Sequence, residues 1–152
     1  LREDIIQSSH QTLPSMLDYK IHIKNDSMYN TPPVFCVYAV NETLKWINKL
    51  GGLESIESMN NTKAELLYNE IDENKLFRCP VSYEDRSNMN VVFTFSDQSK
   101  NDNDFLDFCS KRGLNTLKGH RSVGGFRASI YNAMPIQGVK ELTKAMREYS
   151  KK

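Results

Sequence analysis

From Gly119 to Met134 the chain reads Gly-His-Arg-Ser-Val-Gly-Gly-Phe-Arg-Ala-Ser-Ile-Tyr-Asn-Ala-Met, which sets two arginines and a histidine around a diglycine. These are the ingredients of an anion site. A guanidinium stays charged and forks onto two oxygens of a carboxylate or phosphate, and a histidine adds a donor whose charge follows pH. Gly124 and Gly125 can adopt positive φ and let the backbone approach a ligand. Phe126, Ala128 and Ile130 alternate with Arg127, Ser129 and Tyr131, so a strand here buries the first set and presents the second. Arg127 is therefore the sharper candidate. His120 with Arg121 reads either as a phosphate grip or as a solvated polar turn, and the three nearby glycines favour the grip.

A second candidate lies at Ser27-Met28-Tyr29-Asn30-Thr31-Pro32-Pro33, where an amide and a hydroxyl precede a helix start. Free amides and the helix dipole favour phosphate there, but Asn and Thr are ordinary helix caps, and of the two readings the pattern alone favours capping. Arg86, at the entrance to a strand, reads as structural, paired with an acid or extended along the surface. His10 and His22 have no acid or cysteine at ligand spacing, so a metal role has no support. Trp46 and the other aromatics belong to a core or an interface, since no basic stripe accompanies them. No Ser/His/Asp triad follows from the order of residues.

The 152 residues are 39% hydrophobic and 26% charged, enough for one globular domain, or one domain with a piece of another. A formal charge of +1 gives no global field for nucleic acid or anionic lipid, so anion binding has to come from local clusters. The three cysteines, Cys36, Cys79 and Cys109, are widely spaced and form no Cys-x-x-Cys pair; they read as reduced, buried thiols of a cytosolic protein. No apolar run approaches the roughly 20 residues that span a bilayer, and Leu1-Arg2-Glu3-Asp4 is too charged for a signal peptide, so a soluble chain is expected. The Asn-x-Ser/Thr triplets at Asn25, Asn41 and Asn60 carry no weight without a secretory signal. The opening Leu1, in place of Met, suggests the processed or truncated end of something longer.

These candidates need positioning elements. Asp18 to Ile23 alternates like a strand. Pro32-Pro33 suit the entry to a helix from Val34 to Leu50, whose first half (Val34, Phe35, Val37, Tyr38, Val40) is apolar almost all round and implies burial on every side. Its second half, with Asn41, Glu42, Lys45, Asn48 and Lys49, is one-sided, so the helix begins in one packed body and ends on another. Gly51-Gly52 stop it, and Leu53, Ile56, Lys63, Ala64, Leu67 and Ile71 recur at helical spacing, with Lys63 lying along that face by its alkyl stem. Phe77 to Val81 is a short edge strand limited by Pro80, and Met89, Val91, Phe93 and Phe95 alternate for a second. A helix from Asp104 to Arg112 ends at Gly113. Strands follow at Leu114 to Leu117 and Phe126 to Tyr131, and after Pro135 a closing helix aligns Val139, Leu142, Met146 and Tyr149. The order predicts an α+β fold, a sheet with helices on one face.

Several stretches together resemble the C-terminal portion of the phosphoserine aminotransferase family, within the class-V pyridoxal-phosphate-dependent aminotransferases. They are Pro14-Ser15-Met16-Leu17-Asp18-Tyr19, Ser27 to Pro33, Trp46 with Gly51-Gly52, Lys63-Ala64-Glu65-Leu66-Leu67-Tyr68, Arg86-Ser87-Asn88-Met89-Asn90 and above all Lys118 to Pro135. The resemblance runs nearly end to end. It implies the small C-terminal domain of a type I PLP-dependent transferase at 50–152, preceded at 1–49 by the last strand and helix of the large domain. It implies a cytoplasmic homodimeric enzyme of serine biosynthesis that uses pyridoxal 5'-phosphate. Such an enzyme passes an amino group from L-glutamate to 3-phosphohydroxypyruvate, giving phosphoserine and 2-oxoglutarate, and the cofactor does the carbanion chemistry.

Position by position, the resemblance gives Asn30 and Thr31 to the cofactor phosphate of the neighbouring subunit and Arg127 to the substrate α-carboxylate. It gives His120 and Arg121 to the substrate phosphate across the dimer interface. The family's Schiff-base lysine, the aromatic stacked on the cofactor and the aspartate at its pyridine nitrogen correspond to positions upstream of Leu1. No catalytic residue is expected in this chain, and alone it should be inactive. Neither nucleic acid nor membrane is implied as a partner. The rival from another class is a noncatalytic α+β module that binds a small phosphorylated ligand.

Overall fold

Residues 2–7 and 12–152 are described by the computed structural model, so Leu1 and His10 lie outside the described residues. Contacts divide the chain into two units, Leu1–Trp46 and Ile47–Lys152.

The first unit is built from helices. α1 (Glu3–Gln7) is followed by a single 3₁₀ turn at Ser15–Leu17, then α2 (Tyr19–Lys24) and most of α3 (Val34–Lys49). The strand expected at Asp18 to Ile23 is thus a helix. Local capping decides it: the Asp18 carboxylate accepts the Lys20 amide at 2.9 Å, and Tyr19 and Ile23 become i,i+4 neighbours. An alternation of three apolar residues is too short to outweigh a cap. His22 is tied to its own unit, with Nε2 3.0 Å from the Met16 carbonyl and its ring edge-on to Tyr29.

α3 starts directly after Pro32-Pro33, as expected, with the Val37 amide donating to the Pro33 carbonyl at 3.1 Å. Its apolar half is not covered. Val34, Phe35, Val37, Tyr38 and Val40 are all exposed, Phe35 by 79%, because no described residue of the first unit is buried and nothing in that unit packs over them. Trp46 is exposed for the same reason. The cysteine expectation is corrected with it. All three thiols are free, yet Cys36 on α3 is exposed and Cys79 only half-buried; Cys109 alone is buried, and burial pushes its pKa up to about 12.

In the second unit Gly51 (φ +98°) and Gly52 (φ +82°) turn the chain from α3 into α4 (Gly52–Glu73), a conformation that suits only glycine. α4 buries Ile56, Asn60, Lys63, Ala64, Leu67, Tyr68, Glu70 and Ile71. Leu53, expected on that stripe, is exposed in the helix's first turn. β1 (Phe77–Arg78), β2 (Asn90–Phe95) and β3 (Phe126–Ser129) form one antiparallel sheet in that order, with α5 (Asp102–Ser110) before β3 and α6 (Ile136–Tyr149) after it. Val91, Phe93, Phe95, Phe126 and Ala128 are buried on one sheet face, while Asn90, Val92, Thr94, Arg127 and Ser129 are only half-buried on the other. That is the α+β arrangement expected, a sheet with helices on one side.

The strand expected at Leu114 to Leu117 does not form. Gly113 at φ +77° and Thr116 at φ +60° break the extended run, leaving a bridge between Lys118 and Phe126 and one bond from the Arg127 amide to the Leu117 carbonyl at 2.7 Å. β1 is likewise shorter than expected, ending before Pro80, which has no amide to donate. The core is aromatic: Phe77, Phe93, Phe95, Phe105 and Phe126 pack together, Phe105 and Phe126 edge-to-face at 4.9 Å. Among the described residues no helix is long and apolar enough to cross a membrane, and no three His, Cys, Asp or Glu side chains gather as a metal site.

Lys63 ties α4 to the end of the last strand. It is 2% exposed, and its ammonium donates to the carbonyls of Tyr131 at 2.7 Å, Ile130 at 3.1 Å and Met134 at 3.2 Å. Burial lowers its pKa from the ordinary lysine value. Beside it the Asn60 amide donates to Asn132 Oδ1 at 2.8 Å. Lys63→Met removes all three donated bonds and leaves the buried Ile130 carbonyl without that donor, so urea unfolding of the protein should show a loss of about 2–3 kcal/mol. An unchanged midpoint would contradict this anchoring role.

Candidate functional site

The inward packing of Phe126 and Ala128 fixes where Arg127 goes. Opposite Val92 in the register, it stands on the outer sheet face, half-buried. Among the described residues its guanidinium makes no hydrogen bond or ion pair, and its Nε is buried without a partner. Arg86, whose Nε is likewise buried without a partner, differs at its terminal nitrogens. Its terminal nitrogens fork onto the Asp72 carboxylate at 2.7 and 2.8 Å, and its guanidinium lies 4.7 Å from the Tyr68 ring and 5.4 Å from that of Tyr83. Asp72 raises the Arg86 pKa further. Arg86 is structural, as its position suggested, whereas Arg127 is an arginine without an acid.

His120 and Arg121 sit on the turn that feeds β3. The Gly119 amide donates to the Gly125 carbonyl at 2.8 Å, and the amides of Val123 and Gly124 both donate to the His120 carbonyl, at 2.9 and 2.8 Å. His120 Nδ1 lies 2.7 Å from Ser122 Oγ and 3.3 Å from the Ser122 amide, which donates to it. A neutral ring held this way carries its proton on Nε2, leaving that nitrogen as its free donor. Both residues are exposed. Arg121 has no hydrogen-bond or ion-pair partner among the described residues.

One hairpin therefore carries two guanidiniums and an imidazole donor with no acid among them. A cleft of about 240 Å³ is lined by Tyr68, Asp72, Tyr83 and Arg86. A second of similar size lies among Leu114, Leu117, Ile130 and Leu142, where the expected strand is missing. Neither is lined by Arg127, His120 or Arg121. The cationic groups face outward from the sheet and the turn.

Asn30 and Thr31 belong to the first unit and are exposed. Helix α3 begins at Val34, so Pro33 holds the cap position and Thr31 lies two residues before it. The Asn30 amide donates to the Thr31 carbonyl at 3.2 Å. Capping, the reading the pattern alone favoured, is corrected by this spacing, because Pro33 and not Asn30 or Thr31 stands at the cap.

The structure also joins residues that sequence reasoning left apart. Asn90 Oδ1 accepts from Ser129 Oγ at 3.0 Å and from the Tyr131 hydroxyl at 3.3 Å, on the same outer face as Arg127. Hydrogen bonding with Ser129 and Asn90 holds the Tyr131 phenol below its ordinary pKa, and the Arg127 charge adds to it. The available signal was the register: Asn90 opens β2 and pairs with Ser129.

A family model for "Aminotransferase class-V" matches residues 7–142. The chain belongs to the class-V aminotransferases. Among curated relatives in that family, phosphoserine aminotransferase of Azobacteroides pseudotrichonymphae genomovar. CFP2 is 51% identical over 152 residues, matching 99% of this chain and 42% of its own length. That of Porphyromonas gingivalis is 49% identical over 153 residues, again 42% of its length. The solved phosphoserine aminotransferase of Bacillus circulans subsp. alkalophilus superposes with a TM-score of 0.86 at 43% identity, covering 99% of this chain and 42% of that one. A PLP-bound phosphoserine aminotransferase from Trichomonas vaginalis gives 0.82 at 43% identity, covering 97% and 42%. The chain thus spans about two-fifths of the length of these class-V relatives.

The turn that presents His120 and Arg121 depends on Gly119. A Cβ there would lie 2.0 Å from the Gly124 carbonyl oxygen, whereas one on Gly124 (φ +76°) would meet nothing within 4 Å. Gly119→Ala should displace the turn and lower the melting temperature clearly. Gly124→Ala should cost only about 1 kcal/mol of left-handed backbone strain. Equal losses for the two variants would show that the turn is not packed as described.

Proposed function

We propose that this chain is the C-terminal part of a phosphoserine aminotransferase, an enzyme exchanging an amino group between L-glutamate and 3-phosphohydroxypyruvate. The carrying observation is Arg127, half-buried on the outer sheet face with no acid to neutralise it. A guanidinium in that state is suited to a carboxylate from outside the chain. On this reading Arg127 binds the α-carboxylate that glutamate and phosphoserine share, and the exposed His120 and Arg121 bind the phosphate.

Residues 50–152 would form the small domain and residues 1–49 the end of the large one. Pyridoxal 5'-phosphate fits the donor set at the start of α3, where a hydroxyl and an amide side chain stand beside a helix N-terminus. Asn30 and Thr31 would hold its phosphate from the neighbouring subunit of a homodimer. When bound, the cofactor supplies the electron sink for amino transfer. This chain's residues orient the substrate by its two anionic ends, so that the α-carbon is held in place while its proton moves. The Schiff-base lysine would be contributed from upstream of Leu1, and the chain alone would be inactive. The exposed apolar half of α3 supports burial against another part of the assembly, and free thiols suit a cytoplasmic setting.

Steady-state kinetics of the dimeric holoenzyme carrying this sequence provide the test. Arg127→Lys keeps the charge and loses the fork. It should lower kcat/KM for glutamate and phosphoserine alike by roughly 30- to 150-fold. Arg121→Ala should cost phosphoserine more than glutamate, because a phosphate dianion carries more charge than a side-chain carboxylate. Unchanged kinetics in Arg127→Lys would refute the carboxylate role, and equal losses for both substrates in Arg121→Ala would refute the phosphate role.

A further inference from the structure

Asn90 and Arg127 stand on the same outer face of the sheet. The pairs Asn90–Ser129 and Val92–Arg127 place them two residues apart along neighbouring strands, within reach of one small ligand. The Asn90 side chain is not free to turn. Its Oδ1 accepts from Ser129 Oγ at 3.0 Å and from the Tyr131 hydroxyl at 3.3 Å, one donor from β3 and one from just beyond it. With the oxygen turned toward the two hydroxyls, Nδ2 is left with two N–H donors that have no partner among the described residues. The outer face thus presents an unpaired guanidinium and, diagonal to it, an unpaired amide donor of fixed orientation.

We propose that Asn90 is a specificity-determining residue that donates through Nδ2 to the same carboxylate that Arg127 clamps, with Ser129 and Tyr131 as its positioning residues. This rests on the reading of Arg127 as the carboxylate site. A carboxylate offers about four lone-pair positions on two oxygens, and an arginine fork uses two of them. An amide N–H takes a third without adding charge, and fixes the plane and tilt of the carboxylate. A carboxylate at position 90 would instead neutralise Arg127 and repel the anion. An amide free to rotate would present its oxygen part of the time, which explains why two hydroxyls should pin it.

Asn90→Asp is the diagnostic variant, since it keeps size, shape and an oxygen for both hydroxyls while replacing the donor with an acceptor. In the dimeric holoenzyme it should raise KM for glutamate and for phosphoserine by about tenfold or more, with kcat changed by less than about threefold. A role confined to strand pairing would lower the melting temperature and leave both KM values unmoved. If Asn90→Asp leaves KM unchanged while Arg127→Lys impairs both substrates, the Asn90 proposal fails alone. If neither variant affects either substrate, the carboxylate reading fails with it. Should Asn90→Asp not fold, the double variant Ser129→Ala/Tyr131→Phe releases the amide without touching it. A rise in KM of about threefold for both substrates supports the pinning, and unchanged KM overturns it.

Discussion

The packing of Phe126 and Ala128 into the aromatic core is the constraint on which the second unit's chemistry depends. Side chains alternate along a strand, so burying those two residues obliges Arg127 and Ser129 to face outward. A slip of one residue would put a guanidinium among Phe93, Phe95 and Phe105, where an unpaired charge costs far more than any ring contact returns. The register with β2 then decides the company Arg127 keeps, with Val92 directly opposite and Asn90 diagonal to it. Behind the sheet, Lys63 holds the carbonyls that end this segment, so the outward set is fixed from both sides.

Charge pairing separates the arginines that join elements from Arg78, Arg121 and Arg127, which have no acid among the described residues; of these three Arg127 alone is half-buried. Arg86 is paired with Asp72, Arg112 with Glu148, and Arg147 with the buried Glu70; these stitch one helix or loop to another. Arg127, less exposed than a surface arginine, has no such acid. His120 and Arg121 precede it on a glycine-dependent turn and are equally without acids among the described residues. A hairpin that concentrates cationic donors without acids suits an anionic ligand.

Legibility in the sequence followed the length of each signal. The six residues from Phe126 to Tyr131 alternate cleanly, and the outward placement of Arg127 could be read from them alone. Gly51-Gly52, Pro32-Pro33 and the stripe from Ile56 to Ile71 likewise marked real helix boundaries and faces. Asp18 to Ile23 misled because one side-chain cap at Asp18 outweighs three alternating residues. Leu114 to Leu117 misled because Thr116 adopts a left-handed conformation that its residue type does not advertise. The apolar half of α3 signals burial that its own unit does not provide. The Asn90, Ser129 and Tyr131 network could not be read at all without the register, since about forty residues separate its partners.

The most direct measurement is a crystal structure, with phosphoserine bound, of the holoenzyme proposed to carry this sequence. The expected result has both α-carboxylate oxygens within about 3 Å of the Arg127 terminal nitrogens, and the phosphate against His120 and Arg121. A carboxylate held elsewhere, with Arg127 paired to a protein acid contributed by another part of the assembly, would contradict the central assignment.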